Sequence, residues 1–290
     1  MMTLIVSLLF VSLCTRLCEG SFSLLSEPRQ TCAGYAGIAD AIAALTKTIS
    51  NQTPVDDPLL GLQSSLQQLL QQVTVYQSCD DVTGPSGLYR IRDGNDVPTH
   101  YFCQTDLLGG GWTVIQRRTN GKANFTRSFN EYRNGFGHPD QEFWIGLTRL
   151  TRITTPTQYE LAIVMDAFDG DSAVVRYSSF KVSDETDGFR LATLSGFSVQ
   201  SGNIGNSMSN LVGKTFSTFD RDTDSSTTVN CANVWKGGWW SSDCGESNLN
   251  GFYNGANPTD TPKTSMVWTS FKGLVQSLKS SVMLIRKKRA

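Results

Sequence analysis

The sequence has 290 residues, with 25 Lys and Arg against 26 Asp and Glu, for a formal net charge of −1. Charge this closely cancelled excludes the basic face on which nucleic-acid binding depends. High glycine with few charged residues describes a loop-rich globular protein.

Residues 1–20 read MMTLIVSLLFVSLCTRLCEG. The apolar run from Leu4 to Leu13 is too short to cross a bilayer, which needs about 20 residues. Small residues follow at Cys18 and Gly20, so the segment reads as a secretory signal peptide; a short signal anchor is the alternative. No later stretch is long and apolar enough for a membrane helix. A secreted, extracellular protein keeps its cysteines oxidised. Beyond the signal these are Cys32, Cys79, Cys103, Cys231 and Cys244. Four fall into two local pairs, Cys79 with Cys103 and Cys231 with Cys244. Cys32 is odd, which points to an interchain bond. Asn51-Gln52-Thr53 and Asn124-Phe125-Thr126 are glycosylation sequons.

Residues 21–77 are expected to form a helical stem. Leu59, Leu62, Leu66, Leu69, Val73 and Tyr76 step by three and four, a heptad seam. Ile38, Ile42, Leu45 and Ile49 repeat that spacing, and the proline-bearing stretch Asn51 to Pro58 separates the two runs. Such short seams are marginal alone. A disulfide through Cys32 raises the effective concentration of the strands, so the stem reads as an oligomerisation device, with a homo-trimer expected. An amphipathic helix packed on its own domain is the alternative.

Residues 78–290 change character. Gly87–Ile91, Trp112–Gln116, Tyr159–Met165, Ala173–Tyr177 and Ser281–Arg286 are β-rich and bounded by turn residues. Asp169-Gly170 reads as a hairpin turn, and Arg127 to Asn134 as a helix. Strands and helices do not alternate, so a parallel sheet is not expected. The terminal basic run Arg286-Lys287-Lys288-Arg289 reads as a solvated end.

Near the C-terminal third, Asp220, Asp222 and Asp224 alternate on a loop that runs into Cys231. Calcium takes oxygen ligands, typically about six to eight, and alternate aspartates can aim two carboxylates at one centre. A solvated turn is the competing reading. An EF-hand is excluded, because Ser225 stands where Gly is needed and Cys231 where Glu is needed. The loop Cys231–Cys244 carries Trp235, Trp239 and Trp240. Aromatic faces stack on sugars and acetyl methyls. Trp239 and Trp240 read as core, and Trp235 as the exposed ring. No hydrolase elbow, zinc motif or phosphate loop is present, and His100 and His138 read as surface residues. The protein is not expected to be an enzyme.

Phe102 to Arg118 (FCQTDLLGGGWTVIQRR) resembles the fibrinogen-related domain. So do FNEYRNGFG (Phe129 to Gly137), EFWIGL (Glu142 to Leu147), YSSFKVSDETDGFRL (Tyr177 to Leu191), FSTFDRD (Phe216 to Asp222) and NCANVWKGGWW followed by CGESNLNG. With a signal peptide and a short stem, the sequence looks like a lectin of the ficolin or tachylectin type. The resemblance implies an α+β fold: a disulfide-tied N-terminal part, a twisted antiparallel sheet with short helices, and a loop-rich calcium-binding part. It implies calcium on the side chains of Asp222 and Asp224 with backbone carbonyls near Ser226 and Thr228, although the loop is one residue longer than usual. Asp220 is an alternative or outer ligand. It also implies a cis peptide at Asn230-Cys231, held by metal and cystine, with amides facing a ligand. The ligand surface would comprise Asn230, Cys231, Trp235, Gly245 and Lys263. Most of the acetyl pocket is replaced: Gly245 stands at a histidine position, Trp235 at a tyrosine position, and Pro262-Lys263 at a Tyr-Ala pair. Lys236 and Lys263 would suit an anionic sugar. The function implied is a secreted, calcium-dependent pattern-recognition lectin for microbial or cell-surface glycans in innate immunity. The alternative is a protein ligand or matrix component that binds a receptor, as angiopoietin-like and tenascin-like relatives do.

Overall fold

The computed structural model describes residues 74–94, 97–256, 264–274 and 276–289. The expected signal peptide, the heptad runs up to Val73, Cys32, the Asn51 sequon and Lys263 lie outside them. Twelve strands occur among the described residues. They are β1 (Val75–Tyr76), β2 (Gly87–Ile91), β3 (Thr99–Gln104), β4 (Trp112–Arg118), β5 (Phe136–Gly137), β6 (Phe143–Trp144), β7 (Tyr159–Ala167), β8 (Ser172–Val182), β9 (Leu191–Ser201), β10 (Ser247–Asn248), β11 (Val267–Trp268) and β12 (Leu278–Lys287). The helices are short: α1 (Phe129–Asn134), α2 (Leu147–Thr154), α3 (Cys231–Trp235) and α4 (Thr269–Lys272).

One large sheet runs in the order β1-β2-β3-β4-β12-β7-β8-β9, with β6 also on β4. All its pairings are antiparallel except β1 on β2, which is parallel. The expected antiparallel sheet thus has one parallel edge. Val75 and Tyr76, the last residues of the expected stem segment but one, lie in that edge, and Tyr76 meets Tyr89 edge-on at 5.6 Å.

The sheet centre is apolar on both faces, as buried strands must be. Leu161, Ile163, Met283 and Ile285 join the main core, while Trp112, Val114, Ala162 and Leu284 form a second cluster on the opposite face. This is the two-residue side-chain alternation of a strand. The Cys79–Cys103 disulfide ties the N-terminal turn to β3. Ser128 and Glu131 form a reciprocal capping box that starts α1. Gly135, at φ 92, ends it where a Cβ would stand 2.7 Å from the Ile145 carbonyl oxygen.

The basic run at 286–289 is exposed at Lys287, Lys288 and Arg289, as expected of a solvated end, but Arg286 departs from that reading. Arg286 is buried, donates to the Leu108 and Gly110 carbonyls, and pairs with Glu160 at 2.9 Å. Arg289 reaches the Gly109 and Gly110 carbonyls and Asp80. Both arginines secure the glycine-rich β3–β4 turn by satisfying carbonyls that the turn itself cannot pair.

Candidate functional site

The acidic loop leaves the core at Phe216. Ser217 and Trp239 exchange backbone hydrogen bonds at 2.9 and 3.1 Å, which fixes its root against the disulfide loop. Asp220 Oδ1 accepts the Phe129 amide at 2.9 Å and the Thr218 hydroxyl at 2.7 Å. Arg221 stacks 4.0 Å over the Phe129 ring. Asp220 therefore anchors the loop to the first turn of α1, which accounts for it without a metal.

Asp222 and Asp224 do come together. Asp222 Oδ1 accepts the Asp224 amide at 3.4 Å. Asp224 Oδ1 accepts the Ser226 amide at 2.8 Å, and its Oδ2 accepts the Cys231 amide at 2.7 Å. Burial pushes the Asp224 carboxyl above the usual carboxylate range; the two amides oppose this, and the neighbouring Asp222 carboxylate adds to it. Two adjacent carboxylates that resist joint ionisation form a place where a cation would relieve repulsion. Each Asp224 oxygen keeps a lone pair beyond its amide. The Ser226 and Thr228 hydroxyls lie 3.4 Å apart on the same loop. This all-oxygen donor set fits a hard divalent cation. Among the described residues no group of three or more His, Cys, Asp or Glu gathers as a metal site, so carbonyls, hydroxyls and water must complete the shell.

The Cys231–Cys244 disulfide forms, with Cα atoms 4.8 Å apart. Asn230 caps α3: its Oδ1 accepts the Asn233 amide at 2.8 Å, and its Nδ2 donates to the Thr218 carbonyl at 3.1 Å. The Asn230-Cys231 peptide is trans, contrary to the implied cis bond. Its carbonyl accepts the Asn233 and Val234 amides as the first turn of α3, while its amide serves Asp224. Both groups are thus engaged inside the fold and do not face a ligand.

Trp235 is also corrected. It is only 1% exposed, and its Nε1 donates to the Cys244 carbonyl at 2.7 Å. It closes α3 facing the disulfide and packs with Cys231, Val267, Cys244 and Leu274. The ring expected to stack on sugar instead fills its own loop. Trp239 and Trp240 are buried as expected, and the Trp240 indole donates to the Phe189 carbonyl.

Gly245 lies at the rim, half-buried, at φ 53, after Asp243 at φ 44 and Cys244 at φ 59. Two successive non-glycine residues in the left-handed region store local strain. Lys236 is exposed at the C-cap of α3, and Asn124 is exposed. His100 and His138 are exposed, and His138 pairs with Asp140.

One set of residues has a role that the resemblance did not assign, although all four lie in its motifs. Gln116 and Arg118 on β4 donate to the Leu249 and Gly251 carbonyls, and Asn248 and Asn250 donate to the Gly237 and Gly238 carbonyls. This buried network bolts the tryptophan loop to the sheet. At Gly237 a Cβ would stand 2.0 Å from the Asn250 carbonyl oxygen, so glycine is required there.

Residues 75–288 match the family described as fibrinogen beta and gamma chains, C-terminal globular domain. Human angiopoietin-related protein 6 is 39% identical over 202 residues, covering 69% of this protein and 42% of that relative. The sequence therefore spans less than half the length of that relative. Bovine microfibril-associated glycoprotein 4 is 36% identical over 245 residues, covering 81% of this protein and 93% of that one. The fibrinogen-like globe domain of human ANGPTL6 superposes with a TM-score of 0.69 at 36% identity, covering 74% of this protein and 96% of that domain.

Proposed function

The protein belongs to the fibrinogen family of C-terminal globular domains, and from that premise we propose an extracellular protein that binds a receptor or a matrix protein. The family's domain is a binding module and the protein is not an enzyme. What supports a protein ligand over a sugar is Trp235: buried with Cys231, Val267, Cys244 and Leu274 and with its Nε1 on a carbonyl, it offers no stacking platform. The resemblance to angiopoietin-related protein 6 and to microfibril-associated glycoprotein 4 supports the same reading. Two intramolecular disulfides suit an oxidising, extracellular setting.

Calcium is the cofactor proposed for Asp222 and Asp224, with Ser226 and Thr228 supplying oxygen from the same loop. Bound there, the ion would neutralise the paired carboxylates and stiffen the loop that meets α3 through Asp224 and Cys231. The N-terminal heptads and Cys32 support a disulfide-linked homo-oligomer, with a trimer as the proposed form. Linking several copies raises weak single-site binding by about 10²–10⁴-fold.

The test compares capture by a glycan array with capture by extracellular proteins, each with and without EDTA. The expected outcome is calcium-dependent capture of a protein partner that free sugars do not compete. Sugar-inhibitable binding to glycans would return the lectin reading and reject this one.

A further inference from the structure

The sequence has only two histidines, and both line one cavity of about 310 Å³. His100 enters from β3, His138 from the loop after β5, and Arg149 from α2, with Phe136 and Phe143 among its apolar walls. We propose that this cavity binds a small carboxylate through Arg149 and His100, with His138 at its mouth.

Arg149 has spare donor capacity. Thr99 Oγ1 is buried beside the Tyr101 hydroxyl, which spends its own proton on Asp93, so neither hydroxyl opens on the cavity. The nearest carboxylate to Arg149 is Asp93, 3.9 Å from its Nε, and Asp93 is already engaged by Arg152 at 2.6 Å. Two guanidiniums thus share one carboxylate, and among the described residues Arg149 makes no hydrogen bond of its own. Its side chain is 28% exposed, open to the cavity yet partly shielded from water. A planar fork with free N–H groups matches a carboxylate in two parallel bonds. The other charges facing the site are also fixed. Arg90 lies opposite His100 in the β2–β3 ladder. Asp140 pairs with His138 and lies in the field of Arg117. The surroundings of Arg149 and His100 are therefore net cationic, and Asp140 bears only on the mouth.

The experiment titrates the full-length protein with glucuronate, with N-acetyl-L-glutamate and with glucose. The two histidine C2–H proton resonances are followed by NMR and assigned with His100→Asn and His138→Asn. The expected result is saturable movement of the His100 resonance with a carboxylate and none with glucose. The tighter of the two carboxylates names the source, sugar acid or acidic peptide. Arg149→Gln should weaken binding about tenfold or more with unchanged near-UV circular dichroism. Equal movement with glucose, no movement with either carboxylate, or undiminished binding by folded Arg149→Gln each overturns the proposal. Should Arg149→Gln not fold, the wild-type contrast between glucuronate and glucose still decides.

Discussion

Replacing Asp220 with alanine removes the acceptor from the first amide of α1, and replacing Asp224 with asparagine removes a charge from the proposed ion site. The two changes should separate cleanly. Asp220→Ala is expected to lower stability by about 1 kcal/mol, as loss of a helix cap does, with calcium uptake intact by titration calorimetry. Asp224→Asn is expected to abolish that uptake; uptake surviving in Asp224→Asn would remove the calcium assignment. Glu142 offers a pH test. Desolvation raises its carboxyl, but the amides of Ala123, Thr119, Gly121 and Asn120 together outweigh burial, and its folded value lies below the ordinary range. A depressed carboxyl contributes stability fully above the unfolded value of about 4.3, and loses it as pH falls through the folded one. The stability gap between the parent and Glu142→Gln should therefore be full at pH 7 and close as pH drops below about 4. Urea midpoints at several pH values measure it; a gap that persists at low pH would rule out this role for the charge.

At the scale of elements, the Cys231–Cys244 bond closes a short loop between α3 and the rim. Replacing both cysteines with serine is expected to cost about 3 kcal/mol in the chain-entropy estimate, read as a shift in the urea midpoint. Strands with dense β-formers are legible in the sequence, and Gly87–Ile91 matches β2 residue for residue. The hairpin at Asp169-Gly170 is legible too, because its turn residues announce it. β9 is not: LATLSGFSVQS is largely exposed and interrupted by Gly196, so its pairing comes from β8 and not from its own pattern. α2 hides because its buried face is only Leu147, Leu150 and Thr154. The acidic loop is legible as a pair of carboxylates, since alternation is local. Burial of Trp235 is not legible, because it depends on Val267 and Leu274, distant in sequence, which close over the ring.

For the whole molecule, an ion that binds only the folded state stabilises it by mass action, by about 2.7 kcal/mol at a hundredfold excess over Kd. Calcium should raise the midpoint of thermal unfolding and EDTA should lower it. A midpoint indifferent to both would mean that the loop is held by its amides alone. The Gln116, Arg118, Asn248 and Asn250 network bears on how far such an effect spreads, because it joins the loops to β4 through buried hydrogen bonds. Stiffening at Asp224 is therefore expected to reach the sheet.

β12 lies between β4 and β7, and its Ser281 bonds Gln116 across 165 residues of sequence. Two locally formed sheets, β1 to β4 and β7 to β9, thus wait for the strand that joins them. At a translation rate of roughly 5–20 residues per second, the wait after β9 lasts on the order of five to twenty seconds per molecule. Throughout it, the facing edges of β4 and β7 are open to neighbouring nascent polypeptides, and the ribosome must deliver the seam before either half is safe from mispairing.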